Sequence, residues 1–397
     1  MQICICRVRV EYVKLEEICT IVSGGTPSRS KPNYWNNGNI PWIKIKDMKS
    51  KYIDSAEEFI TEEGLNNSST KMLKRDTILY SIFATLGEVG ILKIDACTNQ
   101  AIAGLSLKED SNILKEYLYY YLKSKKKDVN NLGRGVAQNN INLSLLRKFK
   151  IPVIPLRQQK KIIEVLDNVS STINNYEREL ALLDELVKAR FVEMFGDENN
   201  SKGWEIVNIE DVVNVQVGVV IKPSQYYTDQ YNGIKAFRSL NIGNGYIKDD
   251  DWVYFSKEGN KKNKKSILST NDVLVVRSGA PGTACVVTSE YAGSNAIDVI
   301  IAHPDFQKVD SHYLCTYTNM PHGKSQIIEG TGGAAQQHFN VGKYNKLKLM
   351  LPPLEYQKQY VKFLEEIDKS RLLNICLKSL VESVLKIRIF SEYKKSS

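Results

Sequence analysis

The 397-residue chain carries 54 Lys and Arg against 45 Asp and Glu, a formal net charge of +9, and 42% of its residues are apolar. This composition is typical of a globular protein and excludes a largely disordered one, and the length favours two to four domains. The basic excess favours an acidic partner such as nucleic acid, with ordinary variation in charge as an equal alternative. No stretch approaches the roughly 20 consecutive apolar residues of a membrane span.

The N-terminal run MQICICRVRVEYVK alternates apolar residues with Arg7 and Arg9. This pattern predicts a strand and lacks the apolar core of a signal peptide. Seven cysteines are scattered along the chain, and an odd number of them favours reduced thiols and a cytoplasmic location. Cys4 and Cys6 form the only close pair in sequence, and the chain has four histidines. We therefore expect no metal site in this chain.

The sequence from Leu15 onward contains one tandem repeat of a whole module. LEEICTIVSG at residues 15–24 matches IEDVVNVQVG at residues 209–218, an offset of 209 − 15 = 194. GVAQNNIN at residues 135–142 matches GAAQQHFN at residues 333–340, an offset of 333 − 135 = 198. Because the offset grows by only a few residues, a whole module is duplicated with the same element order. Short apolar runs such as DTILYSIF predict buried strands within each module.

Each module has a polar loop that combines turn residues with cationic and aromatic side chains. GGTPSRSKPNYW begins at Gly24, and the second module has VVIKPSQYY at the matching place. Arg and Lys bind phosphates or guanine, tyrosine stacks or contacts sugars, and glutamine suits adenine, whereas an exposed surface role is the stronger alternative for any single residue. Two lysine clusters resemble phosphate-contacting stretches. The candidate DNA-binding residues are Ser28, Arg29, Lys31, Tyr34, Trp35, Lys44, Lys46, Lys125, Lys126, Lys222, Ser224, Gln225, Tyr226, Tyr227, Arg238, Lys261 and Lys262.

A long helix is predicted after each module, beginning at PLRQQKKI and PLEYQKQY, because proline suits the first turn of a helix. Apolar residues of the first helix are spaced alternately by four and three, the period of a left-handed coiled coil; we call these positions the seam. In the second helix Tyr360, Leu364 and Ile367 fit one register, and the leucines from residue 373 fit another, with a shift near Ser370 and Arg371. The predicted seam residues are Ile162, Leu166, Val169, Ile173, Tyr176, Leu180, Leu183, Val187, Leu373, Leu377, Leu380 and Val384.

The two seams predict that the helices pair with each other, and the alternative is that each is a core helix of its own module. The framework repeats, whereas the polar loops differ between the copies. Two different loops on one framework favour the recognition of two different short DNA sequences, with the helices fixing their separation. This is a prediction of bipartite DNA recognition.

Motifs of catalysis are missing from the sequence. TNMPHGKS ends like a phosphate-binding loop, but Thr318 occupies the place of the first glycine. A nucleophile elbow, a zinc-peptidase motif and a dinucleotide-binding motif are all absent. The triplet Asp249, Asp250 and Asp251 is typical of a solvated turn, with cation binding as the alternative. These absences, beside a clear duplication, favour a binding protein over an enzyme.

The sequence resembles, over essentially its whole length, the DNA specificity subunit of type I restriction-modification systems. SGGTPSRSKPNYWNNGNIPWIKIKDM, the PLxxQKKI helix start and ARFVEMFGDENNSKGWEIVNIEDV carry the resemblance. It implies an α+β fold, in which two pseudo-symmetric globular target recognition domains are separated by two long helices that form an antiparallel coiled coil. The expected boundaries are residues 1–153 and 198–351 for the recognition domains, 154–197 for the central helix and 352–397 for the C-terminal helix.

The resemblance also implies a non-catalytic subunit of a prokaryotic, cytoplasmic complex that reads one half of a bipartite site with each recognition domain. It implies docking of two copies of a modification subunit, which methylates adenine at N6 with S-adenosylmethionine, and of a motor and nuclease subunit that uses ATP and magnesium. No cofactor is expected in this chain itself. VQVGVVIKPSQYY departs from the Gly-Gly-Thr-Pro pattern of the first module, so we expect the second recognition loop to differ in shape.

Two other functions are open at the level of sequence. A self-sufficient methyltransferase or nuclease would act on DNA as the purified chain alone. A coiled-coil adaptor without a DNA role would not bind DNA even at low salt, where contacts to phosphates are strongest.

Overall fold

The computed structural model describes residues 10–133, 141–331 and 339–388. The part of the N-terminal run before Val10, with its cysteine pair, lies outside the described residues, as do most residues of the repeat segments GVAQNNIN and GAAQQHFN. The chain divides into two compact units. The first unit contains the residues up to Tyr176 and those from Cys376 onward, and the second is Glu177–Ile375.

The first module is a mixed α/β structure within the first unit. Its elements in chain order are β1 (Glu11–Lys14), α1 (Leu15–Ile18), β2 (Cys19–Ser23), β3 (Ile40–Ile43), β4 (Tyr52–Ile53), β5 (Glu58–Ile60), α2 (Glu62–Asn66), β6 (Ile78–Ser81), β7 (Val89–Leu92), β8 (Cys97–Thr98), β9 (Ile102–Leu107), α3 (Lys115–Ser124), α4 (Lys126–Gly133), α5 (Leu143–Arg147) and β10 (Lys150–Val153). They form a five-stranded sheet of order β2-β9-β6-β7-β4, a three-stranded sheet of order β5-β3-β8 and the pair β1-β10.

The long helix α6 (Leu156–Phe195) follows, and then the second module. Its elements are β11 (Glu205–Asn208), β12 (Val213–Val217), β13 (Tyr227–Thr228), β14 (Ile234–Phe237), β15 (Val253–Phe255), α7 (Lys257–Lys262), β16 (Val273–Val276), β17 (Ala284–Val286), β18 (Asn295–Ala296), β19 (Val299–Pro304), α8 (Ser311–Asn319), α9 (Pro321–Thr331), α10 (Val341–Asn345) and β20 (Lys348–Leu351), before the last helix α11 (Leu354–Arg388). The sheet orders are β12-β19-β16-β17, β13-β15-β14-β18 and β11-β20.

The two modules therefore have the same topology, as the duplication predicts. The additions to the common plan are the edge strands β4 in the first module and β13 in the second. The central strand of the larger sheet is buried on both faces: Ile78 and Tyr80 of β6 face one core, and Leu79 faces another. In β16, Val273 and Leu274 divide between two cores in the same way. Burial on both faces explains why these strands are uninterrupted apolar runs.

A buried glutamine connects the start of α6 to the first module. Gln159, the glutamine of the PLRQQKKI motif that is followed by lysine, has no exposed surface. Its Nε2 donates to the carbonyl oxygens of Asn112 (2.7 Å) and Ile154 (2.8 Å), and its Oε1 accepts from the backbone N–H of Leu114 (2.8 Å). The motif glutamine thus satisfies backbone hydrogen-bonding groups of the loop before α3 and of the turn before α6.

Gln357 makes the equivalent contacts in the second module. Its Nε2 donates to the carbonyl oxygens of Lys308 (3.1 Å) and Pro352 (2.8 Å), and its Oε1 accepts from the N–H of Asp310 (2.8 Å). The recurrence of Pro-Leu-x-x-Gln-Lys therefore reflects a repeated structural joint between module and helix.

The helices α6 and α11 lie within the ranges 154–197 and 352–397 predicted for them. In the second unit they pack antiparallel: Tyr360 Oη donates to the carbonyl oxygen of Val187 (3.2 Å), and Arg371, further along α11, pairs with Asp184, further back along α6. Tyr360 and Leu364 share a core with Phe191 and Phe195 of α6. The predicted α+β class, with two long helices packed together, is confirmed.

On α6, every predicted seam residue from Ile162 to Val187 is partly or fully buried. The leucines between these positions are on the outside, since Leu182 is 52% and Leu186 is 47% exposed. The spacing of four and three therefore predicts a buried side of this helix, to which Ile163, outside the spacing, also belongs.

On α11 the predicted second register is wrong. Leu373 and Leu380 are 59% and 61% exposed, whereas Arg371 and Asn374 are partly buried and continue the spacing that begins at Tyr360. Up to Val381, the last residue of α11 whose side chain is described, the first register continues and Arg371 occupies one of its positions.

Of the other two seam residues predicted for α11, Leu377 is partly buried. The side chain of Val384 lies outside the described residues.

Candidate DNA-recognition surfaces

In the first module, Arg29 lies on two tryptophans beside the three-stranded sheet. Its Cζ is 3.6 Å from the ring centroid of Trp35 and 5.1 Å from that of Trp42. The two rings are nearly perpendicular, with centroids 5.0 Å apart. Trp42 belongs to β3 and is 2% exposed, and Trp35 Nε1 donates to the carbonyl oxygen of Ser28 (3.1 Å). Both rings are thus fixed by contacts within the module.

The glycines at the start of this loop let it lie close to the rest of the module. A Cβ on Gly24 would be 2.1 Å from the carbonyl oxygen of Asn99, and one on Gly25 would be 2.5 Å from the backbone nitrogen of Thr70. Only glycine permits such close approach. Gly218 is the matching residue of the second module, and a Cβ there would also meet backbone atoms, at 2.5 Å.

Two carboxylates at the start of β5 form ion pairs with three of the predicted DNA-binding residues. Glu58 pairs with Lys44 through Oε1 and with Arg29 through Oε2, and Glu57 pairs with Lys46. Burial raises the pKa of Glu58, but hydrogen bonds from Lys44 and Arg29 outweigh it and hold that pKa below its ordinary value. The hydrogen bond from Lys46 lowers the pKa of Glu57. Three of the candidate cations are therefore already ion-paired.

The other loop candidates have different environments. The ring of Tyr34 is packed inside the module, with 4% exposed. Its Oη accepts a hydrogen bond from Lys31 Nζ (2.9 Å), and this bond raises the pKa of Lys31. Ser28 is exposed, with its Oγ 2.8 Å from that of Ser30. Lys31 and Ser28 are thus the accessible members of this group.

Lys125 and Lys126 lie at the junction of α3 and α4, not on the three-stranded sheet. Lys126 pairs with Glu88 at the end of the β6–β7 turn. Lys125 Nζ is 3.5 Å from a carboxylate oxygen of Asp128. Both lysines are partly buried, so the structure does not bring them together with Arg29 by any contact among its described residues.

The loop of the second module has the different shape that was predicted for it. Both loops contain a short 3-10 helix that begins with proline, Pro32–Tyr34 and Pro223–Tyr226, but the lysine before it is extended in the first module (Lys31, φ -109°) and left-handed in the second (Lys222, φ 43°). Ser224 and Gln225 are exposed, and Tyr227 is 40% exposed. Within the described residues, no ion pair involves Lys222. This loop therefore presents polar groups to solvent without the aromatic support found under Arg29.

Two lysines of α7 lie beside this loop. Lys262 Nζ is 5.9 Å from the ring centroid of Tyr226, and Tyr226 packs against Phe255 of β15, with ring centroids 5.6 Å apart. Lys261 is exposed. Tyr226, Tyr227 and Lys262 thus form one candidate surface with the 222–225 loop.

A cationic group that the sequence did not single out lies on the β13-β15-β14-β18 sheet of the second module. Lys235 Nζ is 4.8 Å from the ring centroid of Trp252 and 4.9 Å from that of Tyr291. Asp249 accepts from Lys235 Nζ and from Trp252 Nε1, both at 2.7 Å, and these bonds lower its pKa. The strand period of two places Lys235 on the same face as Phe237, which contacts both rings. This alternation is the feature of the sequence that could have indicated a cation beside aromatic residues.

Arg238 completes this group. Its Nη2 is 3.1 Å from a carboxylate oxygen of Asp251, and it also donates to the backbone carbonyl of Asp251. The acidic triplet is thus not only a solvated turn, because Asp249 and Asp251 each neutralise a cation of β14 or of the segment after it. In both modules, carboxylates that follow in sequence form ion pairs with cations on or beside the sheet that contains β3 or β14.

Two segments of the chain match one family of known proteins. Residues 7–184 and 201–382 both match the family described as "Type I restriction modification DNA specificity domain". The chain belongs to this family. It is a specificity subunit of the type I restriction-modification class, and so it is not the catalytic component. The resemblance stated from the sequence is confirmed.

Individual relatives match either half or nearly all of the chain. The EcoR124I/EcoR124II specificity subunit of Escherichia coli is 36% identical over 172 residues, which cover 42% of each chain. The MjaIX specificity subunit of Methanocaldococcus jannaschii is 23% identical and covers 96% of this chain and 93% of its own.

Two solved structures share the fold. The S subunit from M. genitalium has a TM-score of 0.52 at 13% identity and covers 96% of this chain and 95% of its own. A chain from a study of complex assembly and conformational transition of the type I R-M system has a TM-score of 0.60 at 14% identity, and the match covers 98% of both chains. At these identities the likeness concerns the fold alone.

Two further observations limit the possible sites. Over the described ranges, no group of three or more His, Cys, Asp and Glu side chains has a metal-binding arrangement. No helix in that part of the chain has both the length and the apolar content of a membrane span.

Proposed function

We propose that the chain binds double-stranded DNA at a bipartite site, with one half read by each module and the separation set by α6 and α11. The observation that carries this proposal is the contrast within each module. The sheets, the helices and the buried glutamines are repeated, whereas the loops around Arg29 and Lys222 differ in shape and in the support of their cations. A repeated framework with different polar loops suits two different half-sites.

The partners in this proposal are two copies of a methyltransferase subunit and a motor and nuclease subunit. The methyltransferase uses S-adenosylmethionine to methylate adenine at N6, and the motor subunit uses ATP and magnesium. On α11, the apolar side chains that lie off the seam support docking to the helices. Leu372, Leu373 and Ile375 are 64%, 59% and 53% exposed, and neighbouring exposed apolar residues are typical of a protein interface.

The first experiment is methylome sequencing of a host that expresses this chain with its methyltransferase. We expect methylated adenines within one interrupted sequence, and salt-sensitive binding of the complex to that sequence in vitro, because phosphate contacts release counterions. Methylation or cleavage by the purified chain alone would show instead that it is an enzyme. Absence of binding at low salt with the methyltransferase present would favour an adaptor.

The second experiment lengthens both helices by one heptad, between Leu183 and Asp184 in α6 and after Arg371 in α11. A heptad preserves the seam period and adds about 10 Å of helix at about 1.5 Å per residue. The recognised spacer should therefore grow by about three base pairs, at about 3.4 Å each, while both half-sites stay the same. A matched control replaces seven exposed residues of the same segments without changing their length. Changed half-sites would contradict the division between modules and helices.

A further inference from the structure

The guanidinium of Arg29 is held on three sides. Trp35 covers one face at 3.6 Å, Trp42 lies at 5.1 Å, and Glu58 accepts a hydrogen bond from Nη2. The tryptophans are themselves fixed, because Trp42 Nε1 donates to the carbonyl oxygen of Gly25 (3.0 Å) and Trp35 Nε1 donates within the loop. Since a fixed side chain loses little conformational freedom on binding, the position of this guanidinium is organised before any ligand arrives.

Among the described residues, Glu58 is the hydrogen-bond acceptor found for the Arg29 guanidinium. A guanidinium has five N–H donors in a planar fork, and Glu58 engages Nη2. The side chain is 54% exposed, so a ligand can reach it. A stacked planar fork suits a ligand that presents two acceptors in one plane.

Two groups of DNA offer such a pair of acceptors: a phosphate, and the major-groove edge of guanine with O6 and N7. The charge next to Arg29 discriminates between them. Glu58 is an anion whose side chain is 30% exposed and in direct contact with the guanidinium. A phosphate bound at Arg29 would experience repulsion from this carboxylate, whereas the edge of guanine carries no net charge. The environment of Arg29 therefore favours guanine.

We propose that Arg29 reads the O6 and N7 atoms of one guanine in the half-site of the first module, and that Trp35 and Glu58 are positioning residues for this contact. The inference rests on the proposed DNA-binding function. Lys44 shares Glu58 with Arg29 and has 18% of its side chain exposed, so it acts here as the second cation that keeps the carboxylate ionised. The aromatic support in the second module carries a lysine, Lys235, which is a point charge without a planar fork.

The test measures binding of the chain, in complex with its methyltransferase, to duplexes in which each base pair of the first half-site is replaced in turn. Arg29→Ala, which removes every N–H donor of the side chain, should lose discrimination at a single G·C pair and keep it elsewhere, with a loss of about 5- to 150-fold on the cognate duplex. Glu58→Gln should weaken discrimination at the same pair only. Glu62→Gln, which removes the same charge from the exposed first turn of α2, is the matched control and should change neither.

A measurement without any substitution in the protein guards against misfolded variants. Replacing the guanine by 7-deazaguanine removes N7, so the unaltered protein should lose affinity, and Arg29→Ala should not distinguish the two duplexes. A uniform loss on all duplexes in Arg29→Ala would identify a phosphate contact and overturn the inference, as would unchanged discrimination at every position. If the unaltered complex recognises no bipartite site, the proposed function itself fails, which is a separate result.

Discussion

The two modules are alike in their buried hydrogen bonds and unlike in their exposed cations. Gln159 and Gln357 make the same three bonds at the same joint. The cation supported by tryptophan is Arg29 of a loop in the first module but Lys235 of strand β14 in the second. Buried polar groups must have partners, so the framework tolerates little change. Exposed cations have water as an alternative partner, so they can be placed differently on the same framework.

The largest expected effect tests whether the two joints are equivalent. Gln159→Ala and Gln357→Ala each leave one buried N–H and two carbonyl groups without their partner, and should each lower the free energy of unfolding by about 3–5 kcal/mol. Chemical denaturation of each variant measures the loss. Lys160→Ala and Lys358→Ala change the exposed neighbours of these glutamines and should have little effect. A large loss for one glutamine and none for the other would show that the joints differ despite their common geometry.

The next largest effect separates the buried from the exposed side of α11. Leu364 is 9% exposed in the core shared with α6, so Leu364→Ala should cost about 2–4 kcal/mol of unfolding free energy. Leu373→Glu, at 59% exposure, should stay within about 0.5 kcal/mol, yet it should reduce copurification of the methyltransferase. A large loss of unfolding free energy in Leu373→Glu would instead support the register predicted from the sequence, in which Leu373 is buried.

The register of α11 shows where sequence patterns stop being sufficient. The spacing on α6 predicted its buried side, because apolar residues occupy the seam throughout. On α11 the seam contains Arg371, whose aliphatic stem can be buried while its guanidinium pairs with Asp184. Apolar periodicity follows Leu373 and Leu380 instead, and both of these leucines are exposed. The pattern of α11 alone does not show how α6 packs against it, and that packing decides which of the two registers is buried.

The candidate site was predictable to a similar extent. The loop at Arg29 was identified by its glycines and its cationic and aromatic residues, all local features. The pairing of Glu58 with Arg29 and Lys44 depends on the antiparallel register of β3 and β5, in which Trp42 lies opposite Glu58. Such register is a tertiary property, since a strand's partner is not encoded within the strand. The cluster at Lys235 was missed for the same reason.

A smaller effect tests the equivalence of α3 and α8. Tyr117 Oη donates to the carbonyl oxygen of Pro152 (3.1 Å), and Tyr313 Oη donates to that of Met350 (2.7 Å). Tyr117→Phe and Tyr313→Phe should each cost about 1 kcal/mol of unfolding free energy, the usual net value of one hydrogen bond. Tyr246→Phe, at a tyrosine that is 58% exposed, is the control and should cost less than either. Unequal losses would limit the equivalence of the modules to their backbones.

The smallest effect concerns the two carboxylates that form ion pairs with Arg29 and Lys235, the cations stacked on tryptophan. The pKa values of Glu58 and Asp249 are held below their ordinary values in the folded protein. The folded state therefore binds these protons less tightly than the unfolded state, so the pairs stabilise the protein above the unfolded pKa and this contribution is lost as pH falls through the folded pKa. For Glu58 the loss should begin near pH 4.5, its ordinary pKa, and continue below it.

Glu58→Gln removes this dependence in the first module, and Asp249→Asn removes it in the second. The difference in unfolding free energy between the unaltered protein and Glu58→Gln should be about 1 kcal/mol or less at pH 7, as for other exposed ion pairs, and should narrow toward pH 3. Asp249→Asn should show the same direction. If this difference in unfolding free energy narrows for only one variant, the ionised carboxylate stabilises only that module. If it narrows for both, an ionised carboxylate paired with a cation that stacks on tryptophan stabilises both modules, although the two cations lie at different positions of the repeated framework.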